Sequence, residues 1–61
     1  MSLTALKKIR LERGLQQQTV SRSIGISQGY LSGLENGHLP VHEELLSRLS
    51  RYYKVPQKNL I

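Results

Sequence analysis

The sequence predicts an all-α fold, a compact bundle of five short helices, from three observations. Apolar residues recur at helical spacing, capping and helix-ending residues separate the apolar segments, and no stretch alternates as a strand does. A chain of 61 residues is expected to form one domain, residues 1–61. Because so short a chain buries only about 60% of its unfolded surface, its core is expected to be lean.

The first helix is predicted over residues 3–13, with Ser2 as its N-cap and Gly14 as its C-terminal stop. Its inward stripe consists of Leu3, Leu6 and Ile9. The second helix is predicted from about Gln17 to Ile24, and Gly25 ends it in the left-handed conformation that glycine tolerates.

The third helix begins after Ser27, a good N-cap, and its inner stripe contains Leu31 and Leu34. Asn36 and Gly37 close it, since both residue types accept a positive φ. Residues 38–42 are predicted to form a loop.

Glu43 and Glu44 open the fourth helix, where negative charge is favourable at the amino end of the helix dipole. Its carboxyl end carries Arg48, Arg51 and Lys54, and its inward side chains are Leu46, Leu49 and Tyr53. Pro56 stops this helix and is expected in the first turn of a short fifth helix that carries Leu60 and Ile61.

The composition excludes several kinds of site. The chain has no cysteine, so it can form neither a disulfide framework nor a thiolate metal site. His38 and His42 lack a third ligand at suitable spacing, and neither a metal nor a cofactor is predicted. Lys7, Lys8 and Arg10 interrupt the apolar residues that a signal peptide needs, and a cytoplasmic protein is expected.

The positive charge is concentrated in the amino-terminal half. The net charge is +5, of which residues 1–34 carry five basic side chains against one acidic, or +4. This charge favours a polyanion such as DNA, RNA or an anionic membrane surface, although ordinary solubility charge is an alternative.

The segment from Gln17 to Asn36 has the residues that two steeply crossing helices need. A crossing of about 90–120° over a short turn requires a small residue at the closest approach, a glycine in the turn and apolar anchors on both sides. Ser21 and Gly25 supply the first two. The anchors are Val20, Ile24, Ile26, Leu31 and Leu34. Two consecutive helices of an ordinary bundle would not require Ser21 and Gly25 to be four residues apart.

Several short motifs follow one another along the chain: Arg10 to Leu15, the series Gln17, Gly25, Ser27 and Gln28, the string Leu34-Glu35-Asn36-Gly37, and Leu46, Leu49 and Val55. Through these motifs the chain resembles, from Leu6 to Leu60, the phage-repressor-like helix-turn-helix domains of Cro/C1 or Xre type. The departures are Ser21, Gly29, Gly33 and Lys54. The resemblance implies a sequence-specific regulator of transcription, foremost a repressor, that binds double-stranded DNA.

Arg10 and Glu35 are predicted to form a structural ion pair. Each follows an inward apolar residue, and leaving either charge partly buried without a partner would cost several kcal/mol. The resemblance implies the same pair, with the arginine also near a DNA phosphate. Two separately solvated charges are the alternative.

The third helix is predicted to be the recognition helix, because the major groove admits one α-helix that presents its first turn to the bases. Gln28 can make a bidentate contact to adenine, and Ser32 follows one turn later. Gly29 and Gly33 would let the helix lie deep in the groove, although Gly33 could simply loosen a marginal helix.

The predicted phosphate contacts are Gln16, Gln17, Arg10, Tyr30, Asn36 and His38. Gln17 lies where backbone N–H groups at a helix amino end bind phosphate, and it is expected to brace Gln28 as well. A solvated glutamine face is the alternative. Tyr30 could instead pack against the helices.

Other functions and the assembly follow from the same residues. No nucleophile–base pair, carboxylate pair or phosphate-binding glycine loop indicates an enzyme. The main alternative is a protein-interaction module of the same fold, such as an antitoxin or anti-repressor, and RNA binding is less favoured. One recognition helix reads few bases, so a homodimer on an inverted-repeat operator is expected, with contacts through Tyr52, Leu60 and Ile61.

Overall fold

The computed structural model describes residues 3–61. This part of the chain folds into four α-helices and one 3₁₀ turn, joined by loops. They are α1 (Ala5–Glu12), α2 (Gln17–Ile24), α3 (Gln28–Glu35), α4 (Glu43–Tyr53) and the turn Gln57–Leu60. Residues 3–61 contain no strand, which confirms the all-α prediction. None of these helices has the length and apolar composition that crossing a membrane requires.

The predicted fifth helix is a single 3₁₀ turn. Pro56 precedes this turn instead of lying within it, and Ile61 follows it with 80% of its surface exposed. Leu60 is buried in the core, so the turn anchors the chain with one side chain. Four residues cannot form the repeated i to i−4 hydrogen bonds of an α-helix, which explains the tighter conformation.

The helix α1 begins two residues later than the sequence predicts. Thr4 is extended, and its hydroxyl accepts a hydrogen bond from the Lys7 backbone N–H at 3.2 Å, so Thr4 is the N-cap. The predicted cap, Ser2, lies outside the described residues. Leu3 precedes the helix and is half-exposed, so the prediction that it belongs to the inward stripe is wrong.

The core consists of apolar side chains from all four helices and the 3₁₀ turn. Its buried members are Leu6, Val20, Ile24, Leu31, Leu34, Leu45, Leu49, Tyr53 and Leu60. The prediction for Leu46 is wrong in detail, because the buried stripe of α4 runs through Leu45, Leu49 and Tyr53 at four-residue spacing. Leu46 lies at the edge of that stripe and is half-buried.

Tyr53 is the largest side chain of this core and is uncharged at neutral pH. Burial, and to a smaller extent the charge of Glu35, raises the pKa of its hydroxyl to about 12. The ring of Tyr52 packs edge-to-face on it, with the ring centroids 5.1 Å apart. Tyr52 itself is half-buried.

The helix α4 ends at Tyr53, and its C-cap Lys54 adopts the left-handed conformation with φ 58°. The N–H groups of Lys54 and Val55 both donate to the Ser50 carbonyl, the arrangement in which glycine is favoured. A residue with a Cβ pays about 1–2 kcal/mol for this conformation. Lys54, one of the residues at which the chain departs from the domains it resembles, is therefore a strained helix end.

Lys54→Gly is expected to raise the free energy of unfolding by about 0.5–1 kcal/mol, because the relieved strain exceeds the extra backbone entropy of glycine. Urea denaturation measures the change. Lys58→Gly is the control, since it removes the same charge from a residue whose φ is not positive. It is expected to be destabilising, and a Lys54→Gly protein no more stable than the wild type would contradict the argument.

Candidate nucleic-acid interface

A three-residue turn joins α2 to α3 and sets their crossing. Gly25 adopts φ 78°, and its N–H and that of Ile26 both donate to the Ser21 carbonyl, closing the end of α2. Ser21 is buried, and its hydroxyl donates back to the Gln18 carbonyl at 3.1 Å. Ser21 is thus the buried small residue of α2 and Gly25 the glycine of the turn, as the sequence predicts.

The first turn of α3 is held at its amino end by Ser27. The Ser27 hydroxyl accepts a hydrogen bond from the Tyr30 N–H at 3.1 Å, as its prediction as an N-cap implies. The helix α3 closes at Asn36 and Gly37 as predicted, and Asn36 has a φ of −90° with its N–H donating to the Ser32 carbonyl in the last turn. Only Gly37, with φ 77°, is left-handed at this end.

A buried network holds the carboxyl end of α3 against α1 and α2. The ion pair expected between Arg10 and Glu35 is present, and the Arg10 Nε donates to both carboxylate oxygens at 2.8 and 3.1 Å. The Gln17 amide donates to the same carboxylate at 3.1 Å. The Thr4 hydroxyl donates to the backbone carbonyl of Glu35 at 2.5 Å. Glu35, 1% exposed, therefore joins three helices.

This network bears on the predicted roles of Arg10 and Gln17. Arg10 is 7% exposed, and its Nη1 donates to the Leu15 carbonyl at 2.7 Å, so burial argues against a direct contact from Arg10 to a phosphate. The Gln17 amide nitrogen donates to Glu35, and the expected brace on Gln28 stays a prediction. A buried carboxylate needs several donors, which is why the nearest amide turns towards it.

The exposed side of α3 presents a short polar row. Gln28, Ser32 and Asn36 are four residues apart and so lie along one face of the helix. Gln28 is exposed, Ser32 is half-buried, and the Asn36 amide donates to the Ser32 hydroxyl at 3.3 Å. An α-helix with its side chains is about 10–12 Å across, which fits the width of about 12 Å of the DNA major groove.

The two glycines of α3 have different surroundings. Gly29 is exposed, and the described part of the chain leaves the space beside it open. A Cβ at Gly33 would lie 2.6 Å from Cδ1 of Leu39, and the Gly33 carbonyl accepts hydrogen bonds from the N–H groups of His38 and Leu39. The following loop therefore packs against Gly33, and its predicted place at the bases stays a prediction.

The remaining predicted phosphate contacts lie at the edges of this surface. Gln16 is exposed directly before α2, and His38 is exposed in the loop after α3. Tyr30 is half-buried and packs against the core, beside Ile26 and Leu45. The ring of Tyr30 thus follows the packing alternative.

Comparison with known proteins identifies the motif. A family model described as helix-turn-helix matches residues 6–56, most of the chain. The chain belongs to this family, in its Cro/C1 or Xre type. No curated protein and no solved structure matches the chain. In this helix-turn-helix domain α2 and α3 are the paired helices, and the domain is a DNA-binding regulator of the Cro/C1 type.

Three side chains that hold the helix-turn-helix domain together were missed by sequence reasoning. Thr4 was overlooked because Ser2, two residues earlier, is an equally suitable cap. Arg13 donates to the Tyr53 carbonyl at 2.7 Å, and Arg48 donates to the Ile24 carbonyl at 3.0 Å. Both arginines cover the carboxyl ends of helices distant in sequence, which periodicity cannot predict.

Proposed function

We propose that this domain regulates transcription, foremost as a repressor, by binding a specific double-stranded DNA sequence with α3 in the major groove. The observation that carries the proposal is the exposed first turn of α3 on a helix held at both ends. Ser27 caps its amino end, and Glu35 ties its carboxyl end to α1 and α2. A reading helix gains specificity when its position is set before binding.

In this proposal Gln28 and Ser32 read the bases, and Gly29 permits close approach of α3 to the base edges. Gln28 is the principal reader, because a carboxamide both donates to and accepts from adenine. Ser32 accepts a hydrogen bond from Asn36, which leaves its own hydroxyl proton free to donate.

Phosphate binding would flank α3 on both sides. The amino end of α2, with Gln16 and Gln17, offers backbone N–H groups to one phosphate. Asn36 and His38 serve the other side, and Tyr30 contributes through its hydroxyl alone. Arg10 acts indirectly, as a positioning residue for Glu35 and, through it, for Gln17.

The working unit we propose is a two-fold homodimer on an inverted repeat, because Gln28 and Ser32 alone read too few bases. Two recognition helices about 34 Å apart would reach half-sites about 10–10.5 base pairs apart. Leu60 is buried, so of the predicted contact residues only Ile61 and the half-buried Tyr52 remain for the partner.

In this proposal the chain acts as one domain, without catalysis and without a cofactor. Its proposed location is the cytoplasm, as the sequence predicts.

Selection of bound sequences from random duplex DNA, followed by titration at several salt concentrations, tests this function. We expect an enriched inverted repeat, two protein copies per site, and an affinity that falls linearly on a log–log plot with a slope near −0.9 per neutralised phosphate. Affinity that does not change with salt, or no enriched sequence, would contradict DNA recognition and favour a protein-interaction module. One copy on an asymmetric site would contradict the dimer alone.

A further inference from the structure

Three arginines surround a groove between the carboxyl halves of α2 and α4. Arg22, Arg48 and Arg51 line it, and Ile24 and Tyr52 add an apolar part. The residues proposed to contact DNA are placed differently, at the amino end of α2, along α3 and directly after α3. None of them lines this groove.

The positive charge of the groove is largely uncompensated. Within residues 3–61 the ion pairs are Arg10 with Glu35 and Arg48 with Glu44, the second at 3.6 Å between exposed side chains. In that part of the chain Arg22 and Arg51 have no acidic partner. Both are exposed, so their guanidinium groups are free for a ligand.

Arg48 is held by contacts to both α2 and α4. Its Nη1 donates to the Ile24 carbonyl at the end of α2, and its Nη2 lies 3.6 Å from Glu44. These contacts use one arginine to fasten α4 to α2, and the other two arginines of the groove are exposed. A guanidinium group binds a carboxylate through two parallel hydrogen bonds. The guanidinium groups of Arg22 and Arg51 can therefore bind two carboxylates.

The apolar part of the groove indicates a protein ligand. Tyr52 is half-buried, and its ring packs edge-to-face on Tyr53. This contact positions the ring in the groove that the arginines line. Arginine and tyrosine are the residue types enriched where protein interfaces bind most tightly. Phosphates of a DNA backbone would pair with the arginines but would make no apolar contact with Ile24 and Tyr52.

We propose that this groove binds an acidic segment of a partner protein, with carboxylates on Arg22 and Arg51 and an apolar side chain against Tyr52. The groove contains none of the proposed DNA-contacting residues, and it shares Tyr52 with the proposed dimer contact. This inference does not depend on α3 reading bases.

The test starts with selection of short peptides from a random display library on the whole chain. The double variant Arg22→Glu/Arg51→Glu is compared with Lys8→Glu/Lys58→Glu, which changes the net charge equally at exposed residues outside the groove. We expect the selected peptides to combine Asp or Glu with apolar residues. We expect the arginine variant to bind them at least about tenfold more weakly than the lysine variant, since it replaces attraction with like-charge repulsion.

Amide chemical shifts of the wild-type chain with a selected peptide locate the site without any mutation. Shifts centred on residues 22–25 and 48–52 support the proposal, whereas shifts centred on α3 overturn it. Peptides without acidic residues, or equal binding to both variants, also overturn it. Duplex DNA is titrated in parallel, and a loss about tenfold greater for the arginine variant than for the lysine variant would assign the groove to phosphate instead.

Discussion

Replacing Glu35 by alanine is expected to lower the free energy of unfolding by about 3–5 kcal/mol, because it leaves the buried Arg10 charge without a partner. The Arg10 Nε would lose both carboxylate acceptors, and the Gln17 amide would lose its acceptor as well. A protein of this size has a small free energy of unfolding. The variant should therefore be largely unfolded at a urea concentration at which the wild type remains folded. Urea denaturation followed by far-ultraviolet circular dichroism measures the loss.

Glu44→Ala is the matched control for this measurement. It removes a carboxylate from the exposed pair with Arg48, whose measured contribution should stay within about 0.5 kcal/mol. The double variant Arg10→Met/Glu35→Leu should be less destabilised than either single truncation, because it leaves no unpaired buried charge. Equal losses for Glu35→Ala and Glu44→Ala, or strictly additive losses in an Arg10–Glu35 double-mutant cycle, would contradict the account.

The sequence was sufficient for the helix-turn-helix because the signals there are local. Ser27 as a cap and Gly25 as a left-handed end depend only on neighbouring backbone. The Arg10–Glu35 pair could be predicted as well, since charges at inward positions require partners. Local signals failed where two neighbours were equally suitable, as with Ser2 and Thr4 or with Leu45 and Leu46.

The details of the site depended on tertiary packing, and sequence reasoning missed them for that reason. The partner of the Gln17 amide is decided by Glu35, which lies 18 residues away. The surroundings of Gly33 are decided by Leu39, whose side chain lies over the helix only because the loop turns back at Gly37. A spacing pattern identifies the face of a helix but not the loop that covers it.

Gln28→Ala is expected to weaken binding to the selected operator by about 1–3 kcal/mol per half-site and to leave binding to unrelated DNA nearly unchanged. Gln28 is exposed at the start of α3, so its truncation should leave the free energy of unfolding near that of the wild type. Removing its carboxamide therefore removes readout without disturbing the network at Glu35. Fluorescence anisotropy on operator and scrambled duplexes, at one stated salt concentration, measures the two affinities.

Gln18→Ala supplies the control, because Gln18 is an exposed glutamine of α2 to which no base contact is assigned. It should lower operator and scrambled affinities by similar small factors. Repeating the selection with Gln28→Ala should relax the preference at one base pair in each half-site, and the remaining positions should keep theirs, since Ser32 is unaltered. A selected sequence that is the same for Gln28→Ala as for the wild type would show that α3 is not the reading helix, whatever the affinity of the domain for DNA.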